Sequence, residues 1–261
     1  MYISNTTTSF VIFRRVVYAL LLRELKTRFG EYRLGILWVF IDPLIQIVFF
    51  ITILGYVYKR VMPNVDYTVY VASGILTWSM FKSVLTRGMV SIDANRALFT
   101  FRQVKPLDAF VSRVFLEFLI YSIVYVGLMF ILTYLEYKFV FLKPLEFIIC
   151  YICAFLIGSG LSLIVISMSL SYKDISKVIN IVLWGAYFIS GVIFPIKLIP
   201  AEYRYWLSWN PMLHVMELMR ETLFPAFTGS VGNLPYLYMS TIIILFLGLA
   251  SYFITKNKIL L

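Results

Sequence analysis

The sequence predicts an all-α membrane protein: six transmembrane helices, an N-terminal amphipathic interface helix, and two short re-entrant outside helices between spans five and six. Three observations carry this. Hydrophobic residues make up 61% of the 261 positions and charged residues only 14%, against about 45–50% and about 25% in soluble domains. One soluble core of this length cannot bury so much apolar surface, whereas lipid can. Six apolar runs each approach the roughly 20 residues that a helix needs to cross a ~30 Å hydrocarbon core. Finally, the formal charge is +10, and with both termini cytoplasmic the Lys and Arg residues fall about two to one in cytoplasmic segments.

The elements follow in order. Residues 1–33 form a basic cytoplasmic leader. Arg14-Arg15 precede only a short apolar stretch, Val16 to Leu22, before Arg23-Glu24 interrupts it, and no small-residue cleavage site follows; the leader is expected to stay on the protein. Within it, 9–29 places Tyr18, Leu22, Leu25 and Phe29 on one helical stripe, with Arg23, Lys26 and Thr27 turned away. That pattern suits a helix lying in the membrane interface; a plain basic leader is the competing reading. The first span covers 34–56, with Asp42-Pro43 about 12 Å into it and a proline kink expected there. The second covers 65–86 and holds Lys82, whose stem can reach toward the cytoplasm.

The cytoplasmic link 87–108 is longer than a turn and mixes Asp93, Arg96, Arg102 and Lys105 with Leu98, Phe99 and Phe101, ending at Pro106. A short amphipathic helix there would dock a soluble partner; a solvated end of the second span is the alternative. The third span, 114–135, contains Glu117 one turn after Arg113, a spacing that predicts a local ion pair. The fourth, 147–172, lies between Glu146 and Lys173. Its Gly158-Ser159-Gly160 lets helices approach closely, and its Cys150 and Cys153 read as small buried side chains rather than a redox pair. The fifth, 178–196, is bracketed by Lys177 and Lys197, and the sixth, 236–255, stops at Lys256.

Between spans five and six, Pro200 starts a short helix to about Trp209. Asn210-Pro211, a cap followed by proline in the first turn, starts another that ends near Phe224-Pro225. Tyr203, Tyr205, Trp206, Trp209 and Phe224 make this stretch unusually aromatic. Half-length helices dipping into the outer leaflet fit, because unprotected irregular backbone cannot face lipid; an aromatic interfacial loop is the alternative. No repeat or linker divides the chain, so 1–261 reads as one permease domain with a bundle over 34–255.

Catalytic chemistry is missing from the pattern. No G-x-x-x-x-G-K-[ST] occurs, so the chain is not expected to hydrolyse ATP. His214, Glu217 and Glu221 share a helix face at i, i+3 and i+7 with Arg220 beside them. Salt-bridging between the short helices explains this face more simply than a metal site, which requires ligands held by further hydrogen bonds. A membrane-embedded glycan- or lipid-modifying enzyme would need paired carboxylates or a histidine cluster. A passive channel would make no demand for the charged link.

The run Leu22-Arg23-Glu24-Leu25-Lys26-Thr27-Arg28-Phe29-Gly30, continuing through Tyr32-Arg33-Leu34-Gly35 to Trp38, resembles capsule-polysaccharide export permeases, the KpsM-like membrane subunits of type-2 ABC exporters. The likeness returns at Ile53-Leu54-Gly55-Tyr56-Val57, at Asp93-Ala94-Asn95 with Leu98-Phe99 and Val104-Lys105-Pro106, and at Tyr187-Phe188-Ile189-Ser190 with Phe194-Pro195. It ends with Trp209-Asn210-Pro211, His214, Glu217, Arg220 and Glu221, and Asp93 stands where the pattern holds Glu. The resemblance implies a homodimer in the bacterial inner membrane working with two separate ATP-binding-cassette subunits, which hold the ATP and Mg; this chain binds no cofactor and no metal. It implies periplasmic adaptor and outer-membrane partners, and as substrate a lipid-linked acidic capsular polysaccharide, with O-antigen or teichoic acid as other glycans of the same class. Arg23, Lys26, Asp93, Asn95, Arg96, Phe99 and Arg102 would then couple to the ATPase. Trp38, Phe40, Asp42, Trp184, Tyr187 and Phe188 are candidates for the substrate path, and Trp209, His214, Glu217, Arg220 and Glu221 for the exit helices.

Overall fold

The computed structural model describes residues 9–29, 37–61, 65–100, 104–172, 174–225, 227 and 231–259. Among them there is helix and no strand. The order is α1 Ser9–Phe29, α2 Leu37–Val61, α3 Tyr67–Met89, α4 Ser91–Ala94, α5 Pro106–Tyr134, α6 Pro144–Ser169, α7 Ile175–Ile189, α8 Ala201–Leu207, α9 Pro211–Leu223 and α10 Leu234–Ile259. Short 3-10 turns follow α4 and α7.

The centre of the bundle is α3. Asp66 caps it, its Oδ1 accepting from the Thr68 amide at 3.0 Å, and α2, α5, α6, α7 and α9 pack around it. Only Thr68, Lys82, Thr86 and Arg87 of this helix escape burial. Enclosed by its neighbours, α3 carries Ser73, Thr77, Ser79 and Ser83, all buried. Ser73 and Thr77 return their hydroxyls to the preceding turn, donating to the Tyr70 and Ser73 carbonyls.

Among the described residues, four helices are long and apolar enough to cross a membrane: Leu37–Val57, Pro106–Tyr134, Pro144–Ser169 and Leu234–Lys258. The pair α6 and α10 meets through glycine: a Cβ on Gly248 would lie 2.5 Å from the Gly160 carbonyl oxygen. That closeness is the small-residue packing predicted for the Gly158-Ser159-Gly160 run. Helix α5 begins at Pro106, ahead of the apolar run at 114, because Asp108 accepts from the Lys105 amide at 3.0 Å and proline suits the first turn.

The fifth apolar run departs from the predicted single helix over 178–196. Helix α7 has 15 residues, about 22 Å of rise, short of a ~30 Å core. It stops at Ser190, and Gly191 turns the chain with a φ of 70°, a conformation that costs glycine little. Val192, Ile193, Pro195 and Ile196 then run on as buried, non-helical chain ending in the 3-10 turn. Beyond them the two short helices lie where their start signals predict. The Asn210 side chain accepts from the Met212 amide at 3.0 Å, and Pro211 opens α9. Helix α9 is buried from Met212 to Arg220, against α6, α10 and α3, whereas α8 has no buried residue.

Candidate functional site

A cleft of about 620 Å³ opens between α2, α3 and α7. An aromatic chain forms its wall. Tyr187 lies at the middle, with ring centroids 5.7 Å from Trp78, 5.4 Å from Phe188 and 6.3 Å from Phe50, and Trp184 stands 5.7 Å beyond Phe188. Between the rings lie the amides of Gln46 and Asn180, the hydroxyls of Ser79, Ser83 and Thr86, and the charges of Asp42, Lys82 and Arg87. Of the substrate-path candidates, Asp42, Trp184, Tyr187 and Phe188 meet here. Trp38 and Phe40 do not: Trp38 is exposed on α2, and Phe40 turns toward α5, 3.5 Å from where a Cβ on Gly127 would sit.

Sequence reading did not assign Lys82, Trp78, Gln46 and Asn180 to this wall. The signal was present as helical spacing: Asp42 with Gln46, Trp78 with Lys82, and Asn180 with Trp184 and Phe188 each recur one turn apart inside an apolar run.

On the side of the bundle where α1 lies against α5, a charged network ties α1 to the link after α3. Arg23 donates to the Asn95 Oδ1 at 2.7 Å, while the Asn95 amide donates to Glu24 at 3.1 Å and to the Ser91 carbonyl at 2.9 Å. Glu24 is ion-paired with Arg113, and Glu117 with Arg28. The expected local pair between Arg113 and Glu117 is therefore replaced by two interhelical ones. Glu24 and Arg28 stand one turn apart on α1, as Arg113 and Glu117 do on α5, so the charges that could pair within each helix instead join the two helices. Glu117 also accepts from Ser83 at 2.7 Å and lies 4.0 Å from Arg87, both residues of the cleft.

The link itself is two short turns rather than the single amphipathic helix predicted. The side chain of Asn95 competes for the Ser91 carbonyl and ends α4. Asn95 is buried and holds α4 to α1, whereas Asp93, Arg96 and Lys26 are exposed and Phe99 is half-buried against the core. Arg102 lies outside the described residues.

At the opposite end of the bundle, Arg220 is fully buried at 1% exposure. Its guanidinium donates at 2.6 Å to each of the Gly191 and Val192 carbonyls, which the early end of α7 leaves unpaired. It stacks 3.6 Å from the Tyr70 ring centroid, and Glu217 lies 4.0 Å away. The predicted salt bridge between the short helices is thus a contact within α9, because the guanidinium is committed to the chain after α7. His214 donates from Nε2 to the Ser208 carbonyl at 2.6 Å and accepts the Asn233 amide on Nδ1 at 3.1 Å, so the ring is neutral. Burial lowers its pKa in the same sense, against the Ser208 carbonyl. Trp209 is exposed, its carbonyl accepting from the Tyr236 hydroxyl at 2.5 Å, and Glu221 is half-buried. Among the described residues no three His, Cys, Asp or Glu side chains gather as a metal site.

Residues 15–224 match the family described as ABC-2 type transporter. The chain belongs to that family. It is 37% identical over 94% of its length, and 95% of the relative's, to the polysialic acid transport protein KpsM of Escherichia coli. Two capsule polysaccharide export inner-membrane proteins are more distant. CtrC of Neisseria meningitidis is 26% identical, with 93% of this chain and 91% of the relative covered. BexB of Haemophilus influenzae is 27% identical, with 92% and 91% covered.

An ABC-2 chain is the membrane component of a transporter rather than an enzyme, and its family implies an ATPase partner. The geometry suits that division of labour. An aromatic and hydroxyl-lined cleft can hold a polar, ring-shaped cargo, because rings stack on the apolar faces of sugars while amides and hydroxyls take their OH groups. Glu117 and Arg28 join that cleft to α1, and Glu24, one turn back on α1, joins it to the exposed link.

Proposed function

We propose that this chain is the permease subunit of an ATP-driven exporter that carries lipid-linked capsular polysaccharide across the bacterial inner membrane. The cleft carries this reading: Trp78, Trp184, Tyr187 and Phe188 interleave with Asn180, Gln46 and serine hydroxyls, the composition that a saccharide needs. The relatives' names, transport of polysialic acid and export of capsule polysaccharide, point the same way.

In this reading the chain is one domain of six spans. The apolar helices α2, α5, α6 and α10 cross the membrane, α3 crosses shielded inside them, and α7 crosses together with the buried stretch after it. Helix α1 lies in the cytoplasmic interface, exposing Ile12, Phe13, Tyr18 and Leu22 to lipid. Helices α8 and α9 dip from the outside, and both termini are cytoplasmic. Two copies face each other across the cleft. Two ATP-binding-cassette subunits hold the ATP and Mg and dock against Lys26, Asp93, Arg96, Phe99 and Arg102, with Arg23 and Asn95 of the network behind. Trp209, His214, Glu217, Arg220 and Glu221 shape the exit toward periplasmic adaptor and outer-membrane proteins.

The test is reconstitution of the chain with its ATPase subunit in inverted vesicles. ATP-dependent uptake of lipid-linked polysaccharide is expected, falling at least about tenfold in Tyr187→Ala when one stacking surface is lost. Uptake that proceeds without the ATPase subunit, or nucleotide turnover by this chain alone, would refute the proposal.

A further inference from the structure

Lys82 is anomalous on α3. The helix is buried on nearly every side, and of the residues it turns to the cleft only Lys82, Thr86 and Arg87 escape burial. Ionisable side chains at membrane depth are rare and face a water-filled cavity, a partner or a substrate pathway. The other two charges of this cleft have company: Arg87 lies 4.0 Å from Glu117, and Asp42 accepts from Gln46 at 3.4 Å. Among the described residues the Lys82 ammonium makes no ion pair. Trp78, one turn before it, is buried against Phe81 and Tyr187, and the rings that the cleft exposes are Phe49, Trp184 and Phe188; a sugar stacked on one of these would occupy the cleft that the ammonium lines.

Resting on the glycan reading above, we propose that Lys82 is an oxyanion site. It takes a carboxylate or phosphate borne by the sugar units of the polymer and so selects an acidic glycan over a neutral one. An ammonium is a point charge with three donors, and either oxyanion satisfies it with charge-assisted hydrogen bonds. Ser79, one turn earlier, can donate to one of the anion's remaining oxygens. The phosphate of a lipid head group has the same chemistry, and the test separates the two sources.

The full chain, purified with its ATPase subunit in nanodiscs, is titrated with a sialic acid oligosaccharide and with its carboxyl-reduced, neutral counterpart. Fluorescence of Trp78 and Trp184, both in the cleft, reports binding. The native chain is expected to bind the acidic form about tenfold tighter, as one charge-assisted hydrogen bond warrants. Lys82→Gln brings that ratio to about one by weakening the acidic oligosaccharide, with an unchanged thermal unfolding midpoint showing the fold intact; Lys82→Arg keeps the preference. An unchanged ratio in Lys82→Gln overturns the assignment and leaves the glycan reading standing. A preference that tracks the phosphatidylglycerol content of the nanodisc instead of the oligosaccharide's charge also overturns it, in favour of a lipid site. If the native chain binds neither oligosaccharide, the glycan reading fails and this inference with it.

Discussion

Arg220 shows how much one side chain can settle. A helix end that is buried leaves carbonyls that water cannot reach, and each one costs free energy unless a donor is supplied. The guanidinium supplies donors to the Gly191 and Val192 carbonyls at once, and it fits because Gly74 of α3 has no Cβ: one placed there would lie 2.8 Å from the Arg220 Nη2. Replacing Arg220 with alanine strands both carbonyls and removes the guanidinium that lies 4.0 Å from the buried Glu217 carboxylate. A loss of about 3–5 kcal/mol is expected, read as a lower thermal unfolding midpoint in detergent and poor recovery of the protein. An Arg220→Ala chain as stable as the native one would show that the guanidinium is not holding the turn. The chemical type of Arg220 and its place one turn from Glu217 were legible in the sequence. Its partners were not, because the hydropathy of 178–196 is continuous across the turn and hides where the helix stops.

At the scale of elements, boundaries were legible wherever local chemistry marks them. The helix-start signal at Asn210-Pro211 and the stop near Phe224 bracket α9, and α1 covers the predicted 9–29. What spacing could not show was pairing between helices: Arg113 and Glu117 look like partners because only neighbours on one helix are visible in a sequence. The crosswise arrangement makes α1 a strap between the exposed link and the cleft. Glu24→Gln is therefore expected to leave ATP hydrolysis running in the assembled transporter while export falls several-fold. Exchanging the charges, Glu24→Arg with Arg113→Glu, is expected to restore export. A double-mutant cycle across the pair should give a coupling on the order of 1–3 kcal/mol. If Glu24→Gln lowers hydrolysis and export equally, α1 is an anchor and transmits nothing.

The whole molecule leaves a geometric demand unmet by one chain. A path for a polymer has to be closed against lipid on every side, yet the cleft is an open groove whose α2 and α7 edges present exposed apolar surface. Ile45 is 60% exposed on α2, and Ile181 and Trp184 are 72% and 74% exposed on α7. Lipid could cover those edges singly, but acyl chains would then also fill a groove lined by Asp42, Lys82, Gln46 and Asn180, whose polar groups hydrocarbon cannot satisfy. In the proposed dimer, a second copy turned about a two-fold axis would set each α2 beside the partner's α7 and seal two half-channels into one. Composition established the membrane class, but the proposed closure was not readable there, because lipid-facing and partner-facing apolar surfaces have the same residues. In a chain with Cys150 and Cys153 replaced by serine, Ile45→Cys with Ile181→Cys should cross-link in the membrane with a short bismaleimide. The product would run at about twice the 30.4 kDa chain mass. A cysteine at Phe246, 68% exposed on α10, should stay monomeric under the same treatment. Equal cross-linking at both places would mean random collision in the bilayer, and cross-linking through α10 alone would put the channel wall on the other side of the bundle.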